Sequence, residues 1–172
     1  MPLSANLITA ASYQTLLDVQ HLHLRYAQVL DANDFSAWPD LFTPECLYTL
    51  QSRENHDAGY PLCILRLESQ AMLRDRVYGA MKTIYHAPYY QRHLISQPLI
   101  TGLITGVEDG NELIEAETAY LVVRTHRDKL PEILSTGRYL DCMVRTPDGL
   151  RFAQRCCIFD NDLIANSLIK PI

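Results

Sequence analysis

Apolar positions in the first third of the chain recur at helical spacing. Tyr13, Leu16, Leu17, Gln20, Leu24 and Ala27 follow i, i+3, i+4 intervals behind Ser12, a residue able to cap the first turn, and Leu22, Tyr26, Val29 and Leu30 widen the apolar surface. This predicts one long amphipathic helix, ending at Asp31-Ala32-Asn33-Asp34. Asp34 can cap a short second helix that presents Phe35, Trp38, Leu41 and Phe42 before Thr43-Pro44 stops it. Residues 46–51 read as a strand, 52–66 as a polar connection and 68–82 as a third helix. The buried side of that helix is expected to carry Ala71, Met72, Asp75 and Tyr78, opposite Arg74, Arg76 and Lys82.

From Tyr90 onward the period shortens to that of strands. Turn signals at Glu108-Asp109-Gly110-Asn111, His126-Arg127-Asp128-Lys129 and Thr146-Pro147-Asp148-Gly149 separate four runs, 92–107, 112–125, 133–145 and 150–160. They read as consecutive hairpins of an antiparallel meander, with Gly102, Gly106 and Gly137 as bends and Pro98 at an edge or bulge. Helices first and strands afterwards is an α+β order, the helices gathered on one face of a curved, mostly antiparallel sheet. On the third run Leu134, Leu140, Cys142 and Val144 share one face while Ile133, Tyr139 and Met143 share the other, so both faces should be covered. Three helices suit one face, and another subunit is expected over part of the second.

Composition narrows the function. With 172 residues, 48% of them hydrophobic, residues 1–172 form a single domain that can bury roughly 70% of its unfolded surface. A net charge of -5 without any Lys/Arg run gives no footprint for nucleic acid or an anionic membrane. Met1 to Ala11 lacks a basic signal-peptide start, and no apolar run approaches the roughly 18 residues of a membrane span, so a cytoplasmic protein is expected. Cys46, Cys63, Cys142, Cys156 and Cys157 are odd in number and contain no C-x-x-C pair, which argues against a disulfide framework or zinc site.

The candidate chemistry is sparse. Six histidines, His21, His23, His56, His86, His93 and His126, offer no two-His-one-carboxylate spacing, and the Cys-x-His and Cys-x-x-His halves of a Rieske centre are missing. No nucleophile elbow or phosphate-cradling glycine loop occurs. Acid and base chemistry in a pocket would fall to Asp31, Tyr48, His93 and Asp141, each of which also suits a structural duty at a helix end or in a strand. Asn55, His56 and Asp57 concentrate donors and acceptors in one loop, and Arg74, Arg76 and Arg92 suit bidentate pairing with carboxylates; contact with a partner chain is the preferred role for all six.

Taken in order, Leu30-Asp31, Trp38-Pro39-Asp40-Leu41-Phe42, Tyr48, Glu54-Asn55-His56-Asp57-Ala58-Gly59, Ser69-Gln70-Ala71-Met72-Leu73-Arg74-Asp75-Arg76, Arg92-His93, Val123-Arg124-Thr125, Gly137-Arg138-Tyr139-Leu140-Asp141, Asp148-Gly149 and Asp160 make the chain resemble the small (β) subunits of aromatic-ring-hydroxylating dioxygenases. The Asn-His-Asp-x-Gly and Ser-Gln-x-Met-Leu-x-Asp-Arg forms are most similar to those of enzymes acting on aromatic acids. The resemblance implies an NTF2-like or SnoaL-like cone and a large (α) partner subunit, in an α3β3 hexamer built on a β trimer. The partner would hold the Rieske 2Fe-2S cluster and mononuclear Fe(II), NADH would supply electrons through a reductase, and this chain would carry no cofactor, metal or catalytic residue. Two other readings stay open: a stand-alone SnoaL-like dehydratase or isomerase using Asp31, Tyr48, His93 and Asp141, and a non-catalytic small-molecule binding module.

Overall fold

The computed structural model describes residues 12–83, 85–104, 112–161 and 168–172. Helix α1 spans Ser12–Asp31, a 3-10 turn Pro39–Leu41 leads into strand β1 (Phe42–Ser52), and α2 (Arg53–Asp57) and β2 (Leu65–Leu67) precede α3 (Gln70–Lys82). The remaining strands are β3 (Tyr89–Ile95), β4 (Leu99–Ile104), β5 (Leu113–His126), β6 (Glu132–Thr146) and β7 (Gly149–Phe159). They form one sheet of order β2-β1-β7-β6-β5-β3, with β4 also paired to β5. Among the described residues no helix is long and apolar enough to cross a membrane.

The α+β expectation holds, and the strands depart from a simple meander in two places. β5, β6 and β7 are hairpin-connected and antiparallel, but β1 lies parallel to β7, pairing Tyr48 with Arg155 and Leu50 with Cys157. The expected run 92–107 is broken at Ser96-Gln97-Pro98 into β3 and β4, which pair with the two halves of β5. Pro98 has no amide hydrogen for a ladder, so the chain leaves the sheet there and re-enters it. The expected Gly106 bend and the turn at 108–111 lie outside the described residues, as does the side chain of Ser12, the expected cap.

The helices also correct the sequence reading. Asp34 caps no helix: its carboxylate accepts from Ser36 Oγ at 2.8 Å, and the chain passes through turns before Pro39–Leu41. The connection 52–66 holds α2, capped by Ser52 Oγ accepting from the Asn55 amide, and β2. On α3 the expected buried residues Ala71, Met72, Asp75 and Tyr78 are all exposed. The helix packs through Gln70, Leu73 and Val77, a narrower stripe at i, i+3, i+7. On α1, Tyr13, Leu17 and Leu24 face solvent, and Thr15, Val19, Leu22, His23, Tyr26, Ala27 and Leu30 are buried.

These choices set the interior of the cone. Trp38, Phe42, Tyr48, Tyr26, Tyr139 and Phe152 are fully buried and meet mostly edge to face, Trp38 to Tyr48 at 5.2 Å and Tyr26 to Phe152 at 5.8 Å. Such edge-to-face pairs fix ring orientation as well as bury area, which leaves the polar side chains among them little freedom.

Candidate functional site: the interior of the cone

Period-2 alternation back from Phe159 and Cys157 turns Arg155 inward, where it is fully buried. β6 does the same for Asp141, and α1 brings His23 over both. Arg155 Nε and Nη2 donate to the two Asp141 oxygens at 2.8 and 2.7 Å, and His23 Nε2 donates to Asp141 Oδ2 at 2.8 Å. The Asp141 carboxylate can only accept, which places a proton on His23 Nε2, and Thr118 Oγ1 lies 3.4 Å from the other ring nitrogen, Nδ1. The Arg155 guanidinium sits 4.1 Å from the Tyr26 ring centre, 4.2 Å from Tyr139 and 4.0 Å from Phe152.

Burial pushes the Asp141 carboxyl up, but the adjacent Arg155 charge and the bonds from Arg155 and His23 more than offset this and hold it below the usual range. Burial pushes His23 below 6.5, and the Asp141 carboxylate only partly opposes it. A histidine held neutral when folded contributes stability that is full above its unfolded value of 6.5 and is lost as pH falls below it toward the folded value. The midpoint of urea unfolding is therefore expected to fall between about pH 7 and pH 5, and a His23→Gln variant to flatten that slope. An unchanged slope in the variant would assign the acid sensitivity to other groups.

Nearer the cone mouth, Asp31 closes α1 and meets β3. His93 Nδ1 donates to Asp31 Oδ1 at 2.6 Å, the His93 amide approaches both carboxylate oxygens at 3.1 Å, and Arg92 adds an ion pair at 3.5 Å. A carboxylate orienting a histidine is the start of a general-base arrangement, but the His93 ring is fully buried and its Nε2 has no partner among the described residues.

The space such a base would serve is taken by the chain itself. Residues 168–172 enter the cone, and Ile172 is fully buried in the core. Tyr26 and Tyr48 hydroxyls donate to the Ile172 main-chain oxygen at 2.7 and 3.1 Å, joined by the Cys157 thiol at 3.5 Å. Burial pushes that thiol up to about 12 and both phenols above their ordinary range, so all three stay protonated as donors. Gln91 donates to Pro171 O at 3.1 Å, and Arg76 Nη2 to Leu168 O and Ile169 O at 2.7 and 3.1 Å. Lys170 donates to Asn33 Oδ1 at 2.7 Å and Tyr89 O at 2.8 Å.

The four residues considered for acid-base work are thus divided among three tasks. Asp31 and His93 pair with each other, Asp141 neutralises Arg155, and Tyr48 holds Ile172. Sequence reasoning missed His23, Tyr26, Arg155 and the segment 168–172; only Arg155 carried a usable signal, its in-phase position two residues before Cys157. Of the six contact candidates, Arg92 is 73% exposed, Arg74 reaches Asp40 at 2.9 Å across the surface, and Arg76 is engaged inside the chain. Asn55, His56 and Asp57 form α2, where His56 Nδ1 lies 3.1 Å from Asp57, and Asp57 lies 3.7 Å from Arg138 on β6. Among the described residues, no three His, Cys, Asp or Glu side chains converge as metal ligands, so the donor set for a Rieske cluster or mononuclear iron is not present in them.

The sequence profile of the SnoaL-like domain family matches residues 12–156. The chain is 35% identical to the small subunit of anthranilate 1,2-dioxygenase from Burkholderia cepacia, over 92% of this chain and 95% of the relative. It is 24% identical to a β subunit of the terminal oxygenase component of terephthalate 1,2-dioxygenase from Comamonas sp, over 91% and 97%. A crystal structure assigned as the β subunit of an aromatic-ring-hydroxylating dioxygenase from Novosphingobium aromaticivorans superposes with a TM-score of 0.82 at 31% identity, covering 94% of this chain and 99% of that one.

Proposed function

We propose a role from one premise: this chain belongs to the SnoaL-like domain family, and within it to the small subunits of aromatic-ring-hydroxylating dioxygenases. Its task is to assemble with and stabilise a large (α) subunit, in an α3β3 hexamer of cytoplasmic location built around a β trimer. The large subunit holds the Rieske 2Fe-2S cluster and the mononuclear Fe(II), with electrons drawn from NADH through a reductase. The observation that carries this reading is the filled cone: residues 168–172 occupy the interior where a catalytic relative of the fold would admit substrate, and the polar side chains around it are spent on the chain's own groups. A chain so organised contributes surface, not chemistry.

The surface available for contact combines polar side chains on α2 and α3 with apolar ones on several strands. Leu94, Leu99, Ile104 and Ile133 are exposed on the strands, and Asn55, His56, Asp57, Arg74 and Arg92 remain the proposed polar contacts. Arg76 acts from within by holding the segment 168–172. Co-expression with the large subunit is expected to give a stable complex that carries iron and labile sulfide, and the chain purified alone to carry neither. Arg92→Gln is expected to weaken that complex by about tenfold, as removal of an interface anchor does, while loss of its long ion pair with Asp31 costs the isolated chain less than about 1 kcal/mol. Normal assembly of the variant would take Arg92 out of the interface. Turnover of a hydroxylated or cyclic ketone substrate by the isolated chain, lost in His93→Ala, would replace the assembly role by dehydratase or isomerase chemistry.

A further inference from the structure

A cavity of about 410 Å³ opens beside the mouth of the cone, between the end of α1, the end of α3 and the start of β3. Its walls include the rings of Phe35, Tyr85, His86 and Tyr89, and its charged residues are Lys170 and Arg127. Among the described residues no Asp or Glu lines it, in a chain whose net charge is -5. A smaller apolar recess adjoins it, sharing Phe35, His86 and Lys170.

Lys170 is the unusual member. It is only 8% exposed, its Nζ stands 4.1 Å from the centre of the Tyr89 ring, and Asn33 Oδ1 and Tyr89 O take two of its three N–H bonds. Among the described residues it has no carboxylate partner. Desolvation pushes the ammonium group below its ordinary range, so an arriving anion would relieve an existing electrostatic cost. The volume falls within the range of small-molecule sites. Aromatic walls favour a flat apolar body over a strongly hydrated inorganic anion.

We propose that this cavity binds a single-ring aromatic monocarboxylate as a free small molecule, its ring against Phe35 and Tyr89 and its carboxylate on Lys170 and Arg127. The site is independent of the assembly role, since it belongs to one chain and would be present in the isolated protein.

Benzoate is the probe, titrated into the full chain by calorimetry, with transferred nuclear Overhauser effects to the Met81 methyl reporting the place of binding. Saturable binding near about 1 mM is expected, as is reasonable for so small a ligand, and benzyl alcohol and benzylamine should bind at least about tenfold more weakly. Lys170→Met should lose about tenfold in affinity. Because that variant also removes two ties to residues 168–172, Arg127→Gln at the exposed rim serves as the second, with an expected loss of about threefold and unchanged unfolding. Absence of saturation by about 10 mM benzoate, equal affinity for benzylamine, or unchanged affinity in Arg127→Gln and a folded Lys170→Met would each overturn the proposal.

Discussion

Asp141→Ala is expected to destabilise the fold by about 3–5 kcal/mol, the largest single-site loss in this chain. The carboxylate is fully buried and accepts from Arg155 Nε, Arg155 Nη2 and His23 Nε2 at 2.7–2.8 Å. Its removal leaves a fully buried guanidinium without a counter-charge, while the rings of Tyr26, Tyr139 and Phe152 prevent Arg155 from swinging to water. Against a total stability of about 5–15 kcal/mol, that loss threatens folding at physiological temperature. The triple variant His23→Leu, Asp141→Leu, Arg155→Met should recover most of it, because an apolar set removes the charge and its desolvation cost together. Urea unfolding decides the matter. A loss below about 1 kcal/mol in Asp141→Ala would mean that water or another group reaches Arg155.

Gly137→Ala is the second large effect expected, about 3 kcal/mol or more. A Cβ at Gly137 would overlap the main-chain oxygen of Ile158 and press on Phe159 Cα at 3.0 Å. Both are backbone atoms of the neighbouring strand, in a register where Gly137 faces Phe159, so relief requires β6 and β7 to separate where they close the cone. Gly102 is the control. There a Cβ would come within 2.5 Å of Glu115 Oε2, the free end of a flexible side chain, and Gly102→Ala should cost less than about 1 kcal/mol. Equal tolerance of both substitutions would show that the β6–β7 spacing is not fixed by Gly137.

The contrast between these glycines marks what a sequence can reveal. Both read as bends, and only the packing of a distant strand separates them. The hairpins β5 to β7 were legible because turn signals and alternation are local, and α1 was legible because its apolar positions exceed any loop's. Its facing was less so: Tyr13, Leu17 and Leu24 form a second apolar stripe on the exposed side, and nothing local ranks it below Val19, Leu22 and Tyr26. On α3 the long side chains of Met72 and Tyr78 dominated the pattern, yet it is Leu73 and Val77 that meet the core. The interior chemistry was the least legible part. Asp31 and His93 were named individually, but their pairing spans 62 positions, and the Arg155–Asp141 bond links two strands in a register that only the folded sheet defines. The segment 168–172 has no periodicity, and its position depends on donors drawn from α1, β1, α3, β3 and β7.

The parallel pairing of β1 with β7 has a consequence for the order in which this protein is made. β1 leaves the ribosome early, and its partner strand and the residues that fill the cone are translated more than a hundred positions later. At about 5–20 residues per second, synthesis leaves the aromatic wall of Trp38, Phe42 and Tyr48 without its sheet neighbour for several seconds or more. The nascent chain therefore exposes an unfinished strand edge and apolar surface throughout that interval, a species prone to aggregate.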